Sequence, residues 1–296
     1  MRLLIAGWQG QLARALVELA PSTSDIAALA VGRPALDLCE PASIARAMTD
    51  FRPDVIINTA AYTAVDKAES EPEAAFALNR DGARMLAEEA ARRGAAIIHV
   101  STDYVFDGTK NAPYVESDPT SPINVYGRSK LEGEQAVAAA NPRHVIVRTS
   151  WVHSSTGQNF VKTMLRLARE RPRLNIVDDQ IGSPTYAPHL AEAILAIARR
   201  ISGIGADDPR WGLYHAAGTG TVSWCGLARE TLQIASAHGA PAVPVDAIPT
   251  TAYPTPARRP MNSRLDCGKL ERTFGIRLPP WQQGAAEGVA LLLAKS

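Results

Sequence analysis

The stretch RLLIAGWQGQLARAL, Arg2 to Leu16, restricts the fold more than any other part of the chain. RLLIA is apolar at successive positions. A strand with one wet face would alternate, so this one must be covered on both faces. Gly7 and Gly10 follow at once, and GQLARALVELA (Gly10 to Ala20) carries Leu12, Leu16 and Leu19 at helical spacing. Strand, glycine turn and helix in that order open a βαβ unit. A first glycine permits the tight turn, and a second lets a backbone approach a pyrophosphate seated on the helix N-terminus. The third position of such a loop is Ala13, which the pattern tolerates.

The rhythm continues to about residue 150. DIAAL (Asp25 to Leu29), DVIINTA (Asp54 to Ala60), AIIHVS (Ala96 to Ser101) and HVIVR (His144 to Arg148) read as further strands. Between them fall a helix capped by Ser43 and ending near Phe51, a long Ala-rich helix from Pro72 to Arg93, and a helix from Asn124 to Ala140. Apolar strands separated by helices predict a Rossmann-type doubly wound parallel sheet. After Trp151 helical stretches recur at Asn159 to Arg169, His189 to Ser202 and Trp224 to His238. Short strand-like pieces lie near Leu174 to Val177 and Leu213 to Ala216, and Pro-rich connections such as IPTTAYPTPARRP follow. This predicts a cofactor-binding domain over 1–150 and a smaller C-terminal α/β substrate lobe over 151–296, with the chain free to cross between them.

Several function classes drop out on composition. Lys and Arg number 31 against 30 Asp and Glu, so no basic excess argues for nucleic acid and none is expected as a partner. No apolar run approaches the ~20 residues of a membrane span. The apolar run before Gly7 is too short for a signal peptide. Cys39, Cys225 and Cys267 lie far apart without CxxC spacing, as expected of a reduced, cytoplasmic chain. The histidines show no metal-ligand spacing and no acidic cluster stands out, so no required metal is expected.

Cofactor choice is normally made by the residue closing the second strand. An acid there takes the ribose 2′-hydroxyl, and a base nearby accommodates a 2′-phosphate. AALAVGRP has no acid at that point and carries Arg33, which predicts NADPH, with NADH as the alternative. Ser101, Thr102 and Asp103 end the fourth strand, and the carboxyl ends of such strands line the ligand crevice. In NVYGRSKLEGE, Tyr126 and Lys130 stand one helical turn apart on one face. A phenol has an unperturbed pKa of ~10, and a neighbouring ammonium is expected to lower it. A strand-end hydroxyl sharing the site completes a proton relay. YxxxK alone is common by chance; its conjunction with the glycine loop and the Ser101–Thr102 strand end is not. Arg258, Arg259 and Arg264 lie in a Pro-constrained segment and suit a nucleotide diphosphate, Arg259 above all.

With these motifs in place, the sequence resembles the extended short-chain dehydrogenase/reductase family over nearly its whole length. The pieces are the GxxGQL loop, RPDVIINTAAYTAVDKAES, STDYVFDG, NVYGRSKLEGE, RTSWV, NFVKTMLRLA, DDQIGSPT and TTAYPTPARRPMNSRL. TAVDKAE and the last two stretches are the narrow signals, similar to those of members that reduce dTDP-linked keto sugars. The resemblance implies a dTDP-sugar substrate and a monomer or homodimer. It places Gly10, Gln11 and Leu12 at the cofactor pyrophosphate, Asp37 and Leu38 beside the adenine, and Ala61, Tyr62 and Thr63 along the cofactor. It makes Tyr126 the proton donor and Lys130 the ribose-binding residue that tunes it. Thr102, Asp103 and Trp151 would face the sugar. Dehydratases of this family place an Asp-Glu pair after the Thr, whereas Asp103 and Tyr104 follow it here. Epimerases generally carry the acid after the second strand that this chain lacks. A non-catalytic regulatory subunit is a further alternative, disfavoured by the intact Thr102, Tyr126 and Lys130, and a bare NADP sensor would not need the narrow motifs of the second lobe.

Overall fold

The computed structural model describes residues 1–20 and 26–294. Its first half contains strands β1 (Arg2–Ala6), β2 (Ala27–Val31), β3 (Val55–Asn58), β4 (Ala96–Thr102) and β5 (His144–Thr149). Helices α1 (Gln11–Leu19), α2 (Pro41–Phe51), α3 (Val65–Ala68), α4 (Pro72–Phe76), α5 (Ala83–Arg92) and α6 (Val125–Ala140) connect them. The second half runs β6 (Val152–His153), α7 (Phe160–Glu170), β7 (Leu174–Val177), β8 (Ile181–Gly182), β9 (Thr185–Tyr186), α8 (Ala187–Ile201) and β10 (Gly212–His215). It closes with β11 (Val222–Ser223), α9 (Trp224–Ala237), β12 (Val245–Ile248), β13 (Asn262–Ser263), α10 (Gly268–Phe274) and α11 (Trp281–Leu293).

The central sheet has the order β2-β1-β3-β4-β5-β10, every pair parallel. The period-two geometry of a strand explains its apolar runs. Leu3, Ile5, Val55, Ile57, Ile98 and Val147 point to one face and pack with α1 and α8. Leu4, Ala6, Ile56 and Ile97 point to the other and meet Ile44 and Met48 of α2 and Leu86 of α5. Chain order reverses between β1 and β3, so their carboxyl ends splay apart and open the crevice where ligands bind in such sheets. Elements from beyond residue 150 return to this layer, with Leu270 and Phe274 of α10 in its core. Helix α8 covers it, and β10 pairs with β5. Residues 213–216, expected in the second lobe, therefore sit at the edge of the central sheet.

Three local expectations change. The weak second strand runs from Ala27 because its register follows β1, Arg2 opposite Ala27 and Ala6 opposite Val31. Its expected first residue, Asp25, lies outside the described residues. Ser43 is not a helix cap. Helix α2 starts earlier, at Pro41, and the Ser43 hydroxyl donates to the carbonyls of Asp37 and Glu40 instead. The long helix after Pro72 widens into one π turn, Ala77–Gly82, between α4 and α5.

The second lobe joins helices α7, α9 and α11 to the parallel pair β7–β12 and the three strands β11-β8-β13. Its last loop reaches back to the first half. Tyr114 N–H donates to the Arg264 carbonyl, and Asn124 Nδ2 donates to the Arg258 carbonyl at 2.8 Å. Among the described residues no helix is long and apolar enough to cross a membrane, and no group of three acidic, His or Cys side chains could hold a metal ion.

Candidate active site

The glycine loop has two different glycines. Gly7 has φ +100°, and a methyl there would lie 2.7 Å from Thr59 Oγ1, so its own fold requires glycine. Gly10 has ordinary geometry, φ −65°, and a Cβ on it would meet nothing within 4 Å. The chain's own packing does not need a glycine there. Gly10 is the N-cap of α1 and no side chain caps that helix, which leaves first-turn N–H groups open to an anion. The Gln11 side chain is committed elsewhere. Its Oε1 accepts from Ser154 Oγ at 3.0 Å and Asn159 Nδ2 at 2.8 Å, tying the loop to the second lobe. Only the backbone of Gln11 is left free to face the open end of α1.

A cavity of about 530 Å³ opens at the carboxyl ends of the central strands. It brings together Gly10, Gln11, Leu12, Ala61 and Thr63 at one side with Thr102, Asp103, Tyr126, Lys130 and Trp151 at the other. Other expected residues stand apart. Gly7 lies beneath the loop. Leu38 is core, packed where a Cβ on Gly82 would go. Arg33 and Asp37 line a separate cavity of about 300 Å³ with Glu40, Ser43 and Arg46. Tyr62 turns away, its hydroxyl donating to Glu71 Oε2 at 2.7 Å. The backbone of Tyr62 is nevertheless clamped by Asn79 of the π turn, which accepts from its N–H at 2.7 Å and donates to its carbonyl at 3.1 Å. The same amide donates to Ser129 of α6 at 2.9 Å.

Helix α6 delivers Tyr126 and Lys130 to the cavity. Asn124 caps it, Oδ1 accepting from Gly127 N–H at 2.7 Å. Methyls on Gly127 and Gly133 would collide with the carbonyl oxygens of Tyr104 and Asn79, so the motif's two glycines let the helix lie directly on those backbones. One turn beyond Lys130, buried Glu134 holds Arg148 of β5 through two hydrogen bonds of 2.9 and 2.7 Å and accepts from Ser101 Oγ at 2.5 Å. That pairing locks α6 to the ends of β4 and β5.

Within the cavity, the Thr102 hydroxyl donates to Asp103 Oδ1 at 3.0 Å. Burial pushes the Tyr126 phenol up to about 12, the Thr102 hydroxyl opposes this and the Asp103 charge adds to it. Lys130 is buried and turned toward the sheet, Nζ donating to the Val100 carbonyl at 2.7 Å. Desolvation pulls its pKa down to about 8, against the favourable charge of Glu134. The expected lowering of Tyr126 by Lys130 is therefore absent in the protein alone, because Nζ faces the strand and the phenol loses its water. Burial also raises Asp103 to about 7, despite help from the Thr102 and Ser263 hydroxyls.

Trp151 has φ +48°, stacks on Trp224 with centroids 3.4 Å apart and donates from Nε1 to Ser263 Oγ at 3.1 Å. It forms a rigid wall of the cavity. Arg259 does not line the cavity. Its guanidinium grips Asp66 of α3 through bonds of 2.5 and 2.8 Å and donates to the Ala257 carbonyl at 2.6 Å. In the protein alone the guanidinium is engaged by this ion pair. Sequence reasoning missed Thr59, Thr149 and Ser150, which line the cavity just past or at the ends of β3 and β5. The strand-end rule applied to every strand, rather than to the fourth alone, would have found them.

The sheet, the uncapped α1 and the convergence of Thr102, Tyr126 and Lys130 define a Rossmann-type oxidoreductase of the short-chain class. Residues 1–293 match the family described as the RmlD substrate binding domain. The chain is 53% identical to a dTDP-4-dehydrorhamnose reductase of Sinorhizobium fredii, covering 99% of this chain and 98% of that one. It is 47% identical to the Escherichia coli K12 reductase of the same name over 84% of this chain and 83% of that one. A Clostridium acetobutylicum dTDP-4-dehydrorhamnose reductase superposes with a TM-score of 0.92 at 35% identity, covering 99% and 100% of the two chains. The Bacillus anthracis reductase, solved in complex with NADP, gives 0.88 at 36% identity with 98% and 99% covered. This chain belongs to the RmlD substrate-binding-domain family, that of the dTDP-4-dehydrorhamnose reductases.

Proposed function

We propose that the chain reduces the 4-keto group of dTDP-4-dehydro-β-L-rhamnose to give dTDP-L-rhamnose, with NADPH as reductant. The observation that carries this reading is the meeting of Thr102, Tyr126 and Lys130 in one cavity between the glycine loop and Trp151. The names of its full-length relatives support the substrate, and the NADP bound to the Bacillus anthracis reductase supports the cofactor. The open space at Gly10 and the uncapped N-terminus of α1 fit its pyrophosphate. Arg33, with Arg46 across the smaller cavity, supplies cationic groups at the end of β2 for a 2′-phosphate.

NADPH, when bound, supplies the hydride for C4. Tyr126, a neutral phenol at every working pH, gives its proton to O4 of the sugar. The Thr102 hydroxyl shares that oxygen and orients it. Lys130 binds the ribose and, as an ammonium near the phenol, favours the phenolate left behind. Trp151 excludes water from one side of the sugar.

The test is NADPH oxidation with a panel of dTDP- and UDP-4-keto sugars. Tyr126→Phe is expected to lower kcat by ~100-fold or more and to keep NADPH affinity within about two-fold. Wild-type turnover in that variant would end the mechanism. Arg33→Ala should reduce the NADPH over NADH preference by about ten-fold, and an unchanged ratio would remove Arg33 from cofactor choice.

A further inference from the structure

Behind Lys130 lies a buried chain of hydrogen bonds that the proposed reaction does not use. Ala60 N–H donates to Asn58 Oδ1 at 3.1 Å, which fixes the orientation of that amide. Asn58 Nδ2 then donates to His99 Nδ1 at 3.1 Å. His99 is wholly buried in β4, and burial above all holds its pKa well below the usual imidazole value, a charge on Lys130 only adding to this, so the ring is neutral whichever form Lys130 takes. A neutral imidazole has one N–H, and with Nδ1 accepting, that N–H is on Nε2. Nε2 faces Lys130 Nζ at 3.4 Å. An ammonium has donors only and would meet that N–H donor to donor. An amine satisfies both contacts, accepting from His99 Nε2–H while donating to the Val100 carbonyl.

We propose that His99, oriented by Asn58, is the positioning residue of Lys130: it holds Lys130 as a neutral amine turned to the sheet, and cofactor binding takes up a proton from solvent to make the ammonium that faces the ribose and Tyr126. The proton gained at Nζ leaves buffer and nothing else changes charge. The lowered pKa of Lys130 agrees with this geometry. The groups facing Lys130 are few. Glu134 and Tyr126 come from its own helix, with Arg148 of β5 bound to Glu134; His99 comes from β4, and uncharged Asn58 of β3 stands behind it. Glu134 favours the ammonium, so only desolvation and the His99 N–H keep the amine. The ligand in this proposal rests on the function proposed above; the tautomer of His99 rests on geometry alone.

Two measurements decide it. Calorimetric titration of NADPH at about pH 9, in buffers of different ionisation enthalpy, should show uptake of about one proton, falling close to none at about pH 6.5. The NADPH 2′-phosphate, with a pKa of ~6, is silent at the higher pH. His99→Gln, which can offer Nζ a carbonyl acceptor, should lose at least about half of that uptake while still binding NADPH. Wild-type binding without uptake at pH 9, or uptake unchanged in His99→Gln, overturns the proposal. Should that variant not fold, ¹⁵N spectra of histidine-labelled wild-type protein give an independent answer. A neutral ring protonated on Nε2 supports the proposal and one protonated on Nδ1 overturns it. Absence of any NADPH heat would count against the cofactor reading, and the nitrogen spectra would still decide His99.

Discussion

Asp103 is a buried carboxyl beside the Tyr126 phenol, and its proton is set by position rather than by residue type. Desolvation raises it to about 7, so near neutral pH the group is divided between acid and carboxylate. The sign follows from linkage. Between the ordinary carboxyl pKa of 3.8 and about 7 the unfolded chain gives up this proton and the folded chain keeps it, so stability falls as pH rises through that window. Asp103→Asn carries no such penalty. Thermal melts should find it more stable than wild type at pH 8, by ~1–3 kcal/mol, and no different near pH 3.5. An equal gain at both pH values would mean that the charge of Asp103 is not what matters. Lys130 shifts in the opposite sense for the same physical reason. Its folded pKa of about 8 lies below 10.5, so the cost of burying its charge is present below pH 8 and is relieved as pH rises toward 10.5.

At the scale of elements, glycines do two kinds of work. In α6 they permit contact: a methyl on Gly127, one residue from Tyr126, would strike the Tyr104 carbonyl. Gly127→Ala should cost ~1–3 kcal/mol and lower kcat with it, because the helix must back away from the turn that carries Asp103. In the loop before α1, Gly10 permits approach. Gly10→Ala should leave the stability of the ligand-free protein within ~0.5 kcal/mol of wild type, since its methyl meets nothing. On the proposed cofactor reading it should weaken NADPH by ~ten-fold or more, because that methyl would stand where a pyrophosphate is expected to meet the helix N-terminus. Chemical denaturation and cofactor titration of both variants separate the two kinds. A destabilised Gly10→Ala with intact NADPH binding would reverse the assignment.

On the scale of the whole molecule, the site depends on a loop returned from near the end of the chain. Arg259 closes that loop on α3 by gripping Asp66, and the guanidinium holds the Asp66 carboxyl below its usual range. An anchor and a diphosphate contact make different predictions. If the pair is an anchor, Arg259→Ala and Asp66→Ala should raise the sugar-nucleotide KM by similar factors and leave NADPH affinity alone. If Arg259 touches the diphosphate directly, its loss should cost far more than that of Asp66. Steady-state kinetics of the two single variants and the double variant tell these apart, and the structure favours the first outcome.

The sequence by itself determined the strands of the central sheet, the glycine loop and the pairing of Tyr126 with Lys130 on one helix face. Each is written in a local period, two for a strand or 3.6 for a helix, or in a turn that only glycine can make, and local periods survive without knowledge of distant contacts. Tertiary structure alone decided where the charged and polar side chains point. Arg259 found Asp66 at the other end of the chain, Lys130 turned to Val100 and His99, and the helix around Asn79 widened to grip Tyr62. It also returned α8 and β10 to the central sheet from beyond the expected boundary. The physical reason is range. Apolar patterning needs only the next turn of chain, whereas a buried charge or amide takes whichever partner the fold brings within about 3 Å, however far away in sequence.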